Sequence, residues 1–269
     1  MRFCGIDLHS NNSVVVITDE MDKVLASRRC PNDLSKIVAV LEPHRAEMAG
    51  VVIESTYNWY WLADGLMAAG YEVKLANTVA MKRYDGLKHS GDEDDAAHLA
   101  HLLRLGILPT GYIHPPCERG LRDLARKRIQ LVRSRTAHVL AVENILAREL
   151  GATLSSNVIK RLTAEQVSTF ELSADVALAV KSNVAVIEVL NREVERLEAR
   201  LLESVRLRPE YALLKSIPGI GEVLAIVIML ETGDRTLCRS GQFCFLSPLC
   251  RQCPLFEWQE KRRRQHQEW

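Results

Sequence analysis

Two short apolar runs that end in a carboxylate constrain the fold of this chain most strongly. The run 3–8 carries Asp7 near its end, and the run 50–54 closes with Glu54. A charge on an apolar strand is costly to bury unless an opposite charge compensates it. The pattern therefore predicts two buried strands whose acids need a counter-charge, such as a bound cation.

A burst of acid at 92–95 opens an apolar helix that runs to about residue 105. Asp92 and Asp95 share one face of this helix because they are three positions apart. Acid in a first helical turn also complements the helix dipole, so the pair alone does not establish a site. Together with the strand acids, however, the pair completes a set that could hold two magnesium ions. The candidate catalytic and metal-binding residues are Asp7, Glu54, Asp92 and Asp95.

The predicted order of elements is three antiparallel strands, helix, strand, helix, strand, helix. This is the order of a ribonuclease-H-like α/β domain, in which the first and fourth strands lie side by side. Asp7 and Glu54 are then neighbours, and the acid-led helix can bring Asp92 and Asp95 to them. The strands are predicted at 2–8, 13–18, 23–29, 51–54 and 71–75, and the helices at 33–44, 59–70 and 92–105.

Composition limits the classes of partner. Of 269 residues, 47% are apolar and the formal net charge is +1, so any nucleic-acid surface must be local. No apolar run approaches a membrane span and no signal-peptide pattern opens the chain. We therefore expect a cytoplasmic protein without membrane contact.

After a proline-rich linker at 111–116, the segment 118–150 is strongly helical and basic in its first half. A cluster of charged residues on a helix usually forms a solvated face, but the excess of bases over acids here favours contact with phosphates. The expected nucleic-acid-binding residues on this helix are Arg119, Arg122, Arg126 and Lys127.

Two further segments carry patterns. Apolar residues of the helix 174–207 recur three and four apart, at Ile187, Leu190, Val194, Leu197 and Leu201. That seam indicates a coiled coil, either a hairpin within the chain or a dimer contact. Gly219 and Gly221 precede another apolar helix, predicted at 222–230, and free the backbone to approach a partner. A tight turn alone would explain the two glycines, but their place after basic helices favours contact with a nucleic-acid backbone.

In this order and at these distances the motifs resemble the DEDD transposases of bacterial insertion sequences, of the IS110 and IS1111 type. The resemblance covers residues 1 to about 234. Its parts are Gly5-Ile6-Asp7, the strand end at Glu54, Ala76-Asn77 leading to Gly86-Leu87-Lys88, Asp92-x-x-Asp95-Ala96, and Ser216-Ile217-Pro218-Gly219-Ile220-Gly221.

The resemblance implies a RuvC-like domain over 1–112, a helical connector or coiled coil over 113–207, and the start of a small helical C-terminal domain over 208–234. It also implies DNA strand exchange guided by a structured RNA, and we expect a homo-oligomer through the coiled coil. The four acids Asp7, Glu54, Asp92 and Asp95 would bind Mg²⁺. A serine in the C-terminal domain would be the nucleophile that becomes joined to DNA.

Residues 235–269 depart from the family pattern, which continues with serine-asparagine-glycine-lysine-lysine. Reading the codons of Phe256–Lys261 one base later can restore this string, and Trp258 followed by Gln259 then forces glycine. We therefore predict a frameshifted tail without the nucleophile, for which Ser240 and Ser247 are no substitutes. A zinc site is a weaker alternative, because the spacing of Cys238, Cys244, Cys250 and Cys253 matches no usual finger.

Three other functions compete with transposition. A stand-alone RuvC-like nuclease or junction resolvase would need only the four acids. An inactive DNA- or RNA-binding remnant differs only in its lack of activity. A sugar-kinase or actin-like ATPase needs a glycine- and threonine-rich turn after the first aspartate, and Asp7 is followed by Leu8-His9-Ser10-Asn11-Asn12 instead.

Overall fold

A computed structural model describes residues 1–81, 91–151 and 153–239, and only the backbone of 233–239. The chain divides into two compact units, the first spanning Met1–Ile113 and the second beginning at His114. No helix in the described ranges is long and apolar enough to cross a membrane.

Six strands form one mixed sheet in the described part of the first unit. They are β1 (Arg2–Leu8), β2 (Asn12–Thr18), β3 (Val24–Pro31), β4 (Met48–Glu54), β5 (Val73–Ala76) and β6 (Thr110–Gly111). Their order in the sheet is β3-β2-β1-β4-β5-β6. β1 pairs antiparallel with β2 and parallel with β4, so the predicted neighbourhood of the first and fourth strands is confirmed. This mixed α/β arrangement is consistent with a ribonuclease-H-like fold.

The helices of the first unit cover the two faces of this sheet. They are α1 (Leu34–Leu41) with a following 3-10 helix (Glu42–Glu47), α2 (Tyr60–Ala68), α3 (Thr78–Met81) and α4 (Asp92–Arg104). Side chains alternate between faces along a strand. Ile6 packs into the main core with residues of α1 and α2, whereas Val52 packs with Leu99 of α4 on the opposite face. Asp7 follows Ile6 directly and so lies on the face opposite to it, whereas Glu54 is two residues after Val52 and lies on the same face as Val52. Both carboxylates therefore belong to the face that α4 covers.

The regular elements in the described part of the second unit are all helices. Its helices are α5 (Pro116–Leu150), α6 (Ser156–Ile159), α7 (Ala164–Val167), α8 (Ala174–Val205), α9 (Pro209–Lys215) and α10 (Glu222–Arg239). α5 and α8 pack along each other: Leu146 lies in one core cluster with Val180 and Ile187, and Ala125 in another with Leu201. The predicted seam on α8 is therefore buried in a hairpin within the chain.

The predicted segments need two corrections. The linker predicted to begin at residue 111 overlaps β6, which pairs Gly111 with Leu75 at the edge of β5. A two-residue strand has no detectable period, which explains the error. The helix predicted to end at Leu230 continues to Arg239. The predicted tail beyond 239, with Ser240, Ser247 and three cysteines, lies outside the described residues.

Candidate metal centre

Asp7 is a buried carboxylate at the end of β1. Its side chain is only 3% exposed, and within the described residues its Oδ2 atom makes no hydrogen bond. The register that sets Ile6 beside Ile53 places Asp7 and Glu54 one position further along two adjacent parallel strands. A buried carboxylate is costly unless an opposite charge compensates it, and the nearest side chain that could do so is His9, whose Nε2 lies 3.0 Å from Oδ2. A bound cation would supply the same compensation, so this strand end has the properties of a cation site.

Helix α4 reaches this strand end because it lies directly against β1. A Cβ atom on Gly5 would overlap the carbonyl oxygen of Ala96 and would stand 2.9 Å from the backbone nitrogen of Ala100. Only glycine leaves room for this approach. Asp92 opens the helix, and the amide of Asp95 donates to the Gly91 carbonyl at 2.9 Å. The close packing thereby brings the first turn of α4 to the end of β1.

Three side chains converge at this point. Ligand atoms of Asp7, His9 and Asp92 all lie within 4.8 Å of one another. His9 Nε2 lies at ion-pair distance from both carboxylates, 3.0 Å from Asp7 Oδ2 and 3.4 Å from Asp92 Oδ2. The imidazole thus stands between two carboxylates that come from different elements.

Arg29 on β3 supports the outer carboxylate. One guanidinium nitrogen donates to Asp92 Oδ2 at 2.6 Å, and another donates to Asn12 Oδ1 at 2.9 Å. The hydrogen bond from Arg29, with a smaller contribution from His9, holds the pKa of Asp92 below its usual range. Asp92 is therefore kept ionised and is oriented from the β3 side.

The structure brings together two of the four predicted acids, Asp7 and Asp92. Glu54 and Asp95 are half-buried, each has an interaction within the chain, and neither joins the group of three within 4.8 Å in the described part of the chain. Their role as metal ligands stays a prediction. Sequence reasoning missed His9, whose only signal is its position two residues after Asp7.

The basic residues predicted on α5 have partners inside the second unit. Arg122 and Arg126 both bind the carboxylate of Glu231 on α10, at 3.0 Å and 2.9 Å. Arg119 is buried and donates from Nε to the His114 carbonyl at 2.7 Å. Lys127 is exposed and contacts Gln130 at 3.0 Å. Phosphate contact by these residues stays a prediction, and Lys127 is the one most accessible for it.

The glycines predicted to contact nucleic acid lie in an exposed turn before α10. Gly219 has a φ of +87°, a conformation that side chains rarely adopt, and no atom lies within 4 Å of where its Cβ would be. Gly221 is equally open and its carbonyl accepts the first helical hydrogen bond, from Ala225 at 2.9 Å. The turn explains Gly219 on conformational grounds, and a backbone contact with nucleic acid stays a prediction.

The family model of the IS110-type DEDD transposases, described as Transposase, matches residues 4–149, which is more than half of the chain. The chain belongs to this transposase family. The match covers the sheet, α4 and almost all of α5, and so includes the candidate metal centre. A comparison with curated proteins found no match.

The residues of this centre fit a divalent cation. Two carboxylates and an imidazole are the donor types that bind such ions, and the buried Asp7 oxygen makes no hydrogen bond within the described residues. Carboxylate oxygens suit Mg²⁺, which the family resemblance implies, whereas a nitrogen donor suits transition metals better.

Proposed function

We propose that this chain derives from a DNA transposase that exchanges strands at a divalent-metal site formed by Asp7, Glu54, Asp92 and Asp95. The observation that carries the proposal is the buried Asp7 carboxylate, which lies beside the Glu54 strand end and within reach of Asp92 on α4. When bound, Mg²⁺ would stabilise the attacking and leaving oxygens of a phosphodiester. The residues of the chain hold the carboxylates in place: Gly5 admits α4, and Arg29 orients Asp92.

We further propose that this copy lacks strand-joining activity because the nucleophilic serine segment lies in another reading frame. The string serine-asparagine-glycine-lysine-lysine is compatible with the codons of Phe256–Lys261 read one base later. Sequencing the gene tests this directly: a stop codon in the shifted frame, or a string other than the motif, would contradict it. A one-base correction should restore strand exchange.

The metal site is tested in the frame-corrected protein. Asp7→Asn and Asp92→Asn should abolish Mg²⁺-dependent strand exchange while leaving DNA binding in place, because each removes a charge from the ion's ligands without changing size. Asp123→Asn removes an exposed acid of α5 and is the matched control, with activity expected to stay unchanged. Full activity of the Asp7→Asn protein would exclude the proposed site.

Nucleic-acid partners are proposed from the family: DNA, and a structured guide RNA from the element itself. Replacing Arg119 or Arg122 would disturb the packing of α5, so the informative substitutions are at the exposed Lys127 and Arg133. Their replacement by alanine should weaken DNA binding and flatten its salt dependence by about one unit of slope per lost phosphate contact. An unchanged slope would mean that this face is only solvated. A homo-oligomer and a cytoplasmic location also remain proposals.

A metal-dependent nuclease or junction resolvase is the alternative, and one observation favours it. Asp7, Glu54, Asp92 and Asp95 all belong to the first unit, Met1–Ile113, so the metal site needs no residue of the second. Cleavage of DNA without joining by the chain as written would support this alternative. Joining that appears only after frame correction would support the transposase.

A further inference from the structure

His9 occupies a position that three segments fix. Its carbonyl accepts hydrogen bonds from the side-chain amides of Asn32 at 2.9 Å and Asn58 at 3.1 Å. Asn32 is itself held by Ser13, whose hydroxyl donates to its Oδ1 at 2.7 Å, and Asn58 is held by Thr56 at 2.9 Å. The residue after β1, the end of β3 and the loop after β4 therefore converge on the backbone of His9.

The imidazole of His9 is placed like a metal ligand. Two donors at neighbouring corners of an octahedral ion with bonds of about 2.1 Å lie about 3.0 Å apart. The distances from His9 Nε2 to the carboxylate oxygens of Asp7 and Asp92 are 3.0 Å and 3.4 Å. The imidazole as a whole is 38% exposed, whereas its Nε2 atom is buried against the two carboxylates.

We propose that His9 is a direct ligand of the divalent cation held by Asp7 and Asp92, and that the site consequently prefers Mn²⁺ to Mg²⁺. Imidazole nitrogen suits first-row transition metals, whereas Mg²⁺ takes oxygen donors. The proposal rests on the metal site of the proposed function and adds a ligand that the four acids do not include. The competing explanation is that His9 only bridges the two carboxylates and is displaced when an ion binds.

Pulsed electron paramagnetic resonance of Mn²⁺ bound to the full chain separates these explanations without using activity. A coordinated imidazole nitrogen modulates the electron spin echo of Mn²⁺. We expect ¹⁴N modulation in the wild-type protein and its loss in His9→Gln. The affinity for Mn²⁺ should fall at least about tenfold in His9→Gln, since loss of even an outer partner of a metal ligand has that effect. The affinity for Mg²⁺ should fall less.

His138→Gln is the matched control, because it removes an imidazole that contacts Asn183 in the second unit. Its modulation and affinity should equal those of the wild type. Absence of ¹⁴N modulation in the wild type, or its persistence in His9→Gln, would overturn the proposal. The wild-type spectrum decides the question even if His9→Gln folds poorly.

Carboxylate variants distinguish failure of this inference from failure of the proposed function. If Asp7→Asn and Asp92→Asn abolish Mn²⁺ binding while His9→Gln leaves it unchanged, the metal site stands and His9 is not its ligand. If neither carboxylate variant changes Mn²⁺ binding, the proposed site itself fails, and the role of His9 fails with it.

Discussion

Replacing Gly5 by alanine should separate α4 from β1. The new Cβ would overlap the carbonyl oxygen of Ala96 and would lie 2.9 Å from the Ala100 nitrogen, where ordinary contact begins at 3.4 Å. Both obstacles are helix backbone, which cannot rotate away as a side chain does. The nitrogen contact alone requires α4 to retreat by about 0.5 Å, and the overlap with the oxygen requires more.

The retreat should be visible in both stability and metal binding. Overpacking of a core costs about 1–3 kcal/mol, and a clash with backbone belongs at the upper end, so we expect Gly5→Ala to lose about 3 kcal/mol of unfolding free energy. A metal site tolerates displacements of its ligands of no more than about 0.5 Å. Asp92 moves with α4 by more than this, so the affinity for Mn²⁺ should also fall.

Gly50→Ala is the matched control on the adjacent strand β4. Its Cβ would lie 3.4 Å from the end of the Leu103 side chain and 3.7 Å from the Glu72 carbonyl oxygen, which are ordinary contacts, so its stability should stay near that of the wild type. Urea unfolding followed by circular dichroism gives both free energies, and Mn²⁺ titration gives both affinities. Equal unfolding midpoints for the two variants would refute the close contact between β1 and α4.

Three further predictions concern stability. Asp22 has a positive φ of 62°, binds Arg104 through both carboxylate oxygens and contacts His101 at 2.9 Å. Asp22→Asn weakens these contacts and should lower the unfolding free energy by about 1–2 kcal/mol. An unchanged urea midpoint would contradict this. Burial, reinforced by the charge of Arg122, lowers the pKa of His114 from 6.5 to about 4. The unfolded chain therefore binds a proton that the folded chain does not, and stability should fall by at most about 3 kcal/mol as pH drops from 6.5 towards 4. In His114→Gln the urea unfolding midpoint should change less with pH across that range than it does in the wild type. Gly120→Ala on α5, whose Cβ would meet nothing within 4 Å, should stabilise the protein by about 0.5–1 kcal/mol; a loss of stability would contradict this.

The sheet and two of its acids could be predicted because strands leave local patterns. Alternation and apolar runs located β1 and β4, and the cost of a charge on a buried strand singled out Asp7 and Glu54. The spacing of Asp92 and Asp95 indicated a shared helical face, but it could not show that only Asp92 would join the close group. Which acid of α4 comes close to Asp7 depends on the position of the helix along the sheet, and no local sequence pattern indicates that position.

The partners of the basic residues on α5 could not be predicted for the same reason. Arg122 and Glu231 are 109 positions apart, and nothing in either helix indicates their pairing. Burial raises the pKa of Glu231, yet the bonds from Arg126 and Arg122 outweigh burial and hold it below its usual value. The basic residues of one helix therefore fall into two groups: some bind acids of a neighbouring helix, and others remain accessible to phosphates. Only the tertiary structure shows which residue belongs to which group.

Gly5 and His9 show most clearly what a sequence pattern leaves out. A glycine in a strand has several explanations, among them a bulge and a close backbone approach, and the structure selects the second through Ala96 and Ala100. A lone histidine in a turn has no periodic signal at all. Its position follows from the amides of Asn32 and Asn58, which come from segments far apart in the chain. The positions of carboxylates on buried strands can thus be predicted from the energetic cost of burying them, whereas the arrangement of Gly5 and His9 around them depends on contacts between segments that are far apart in the chain.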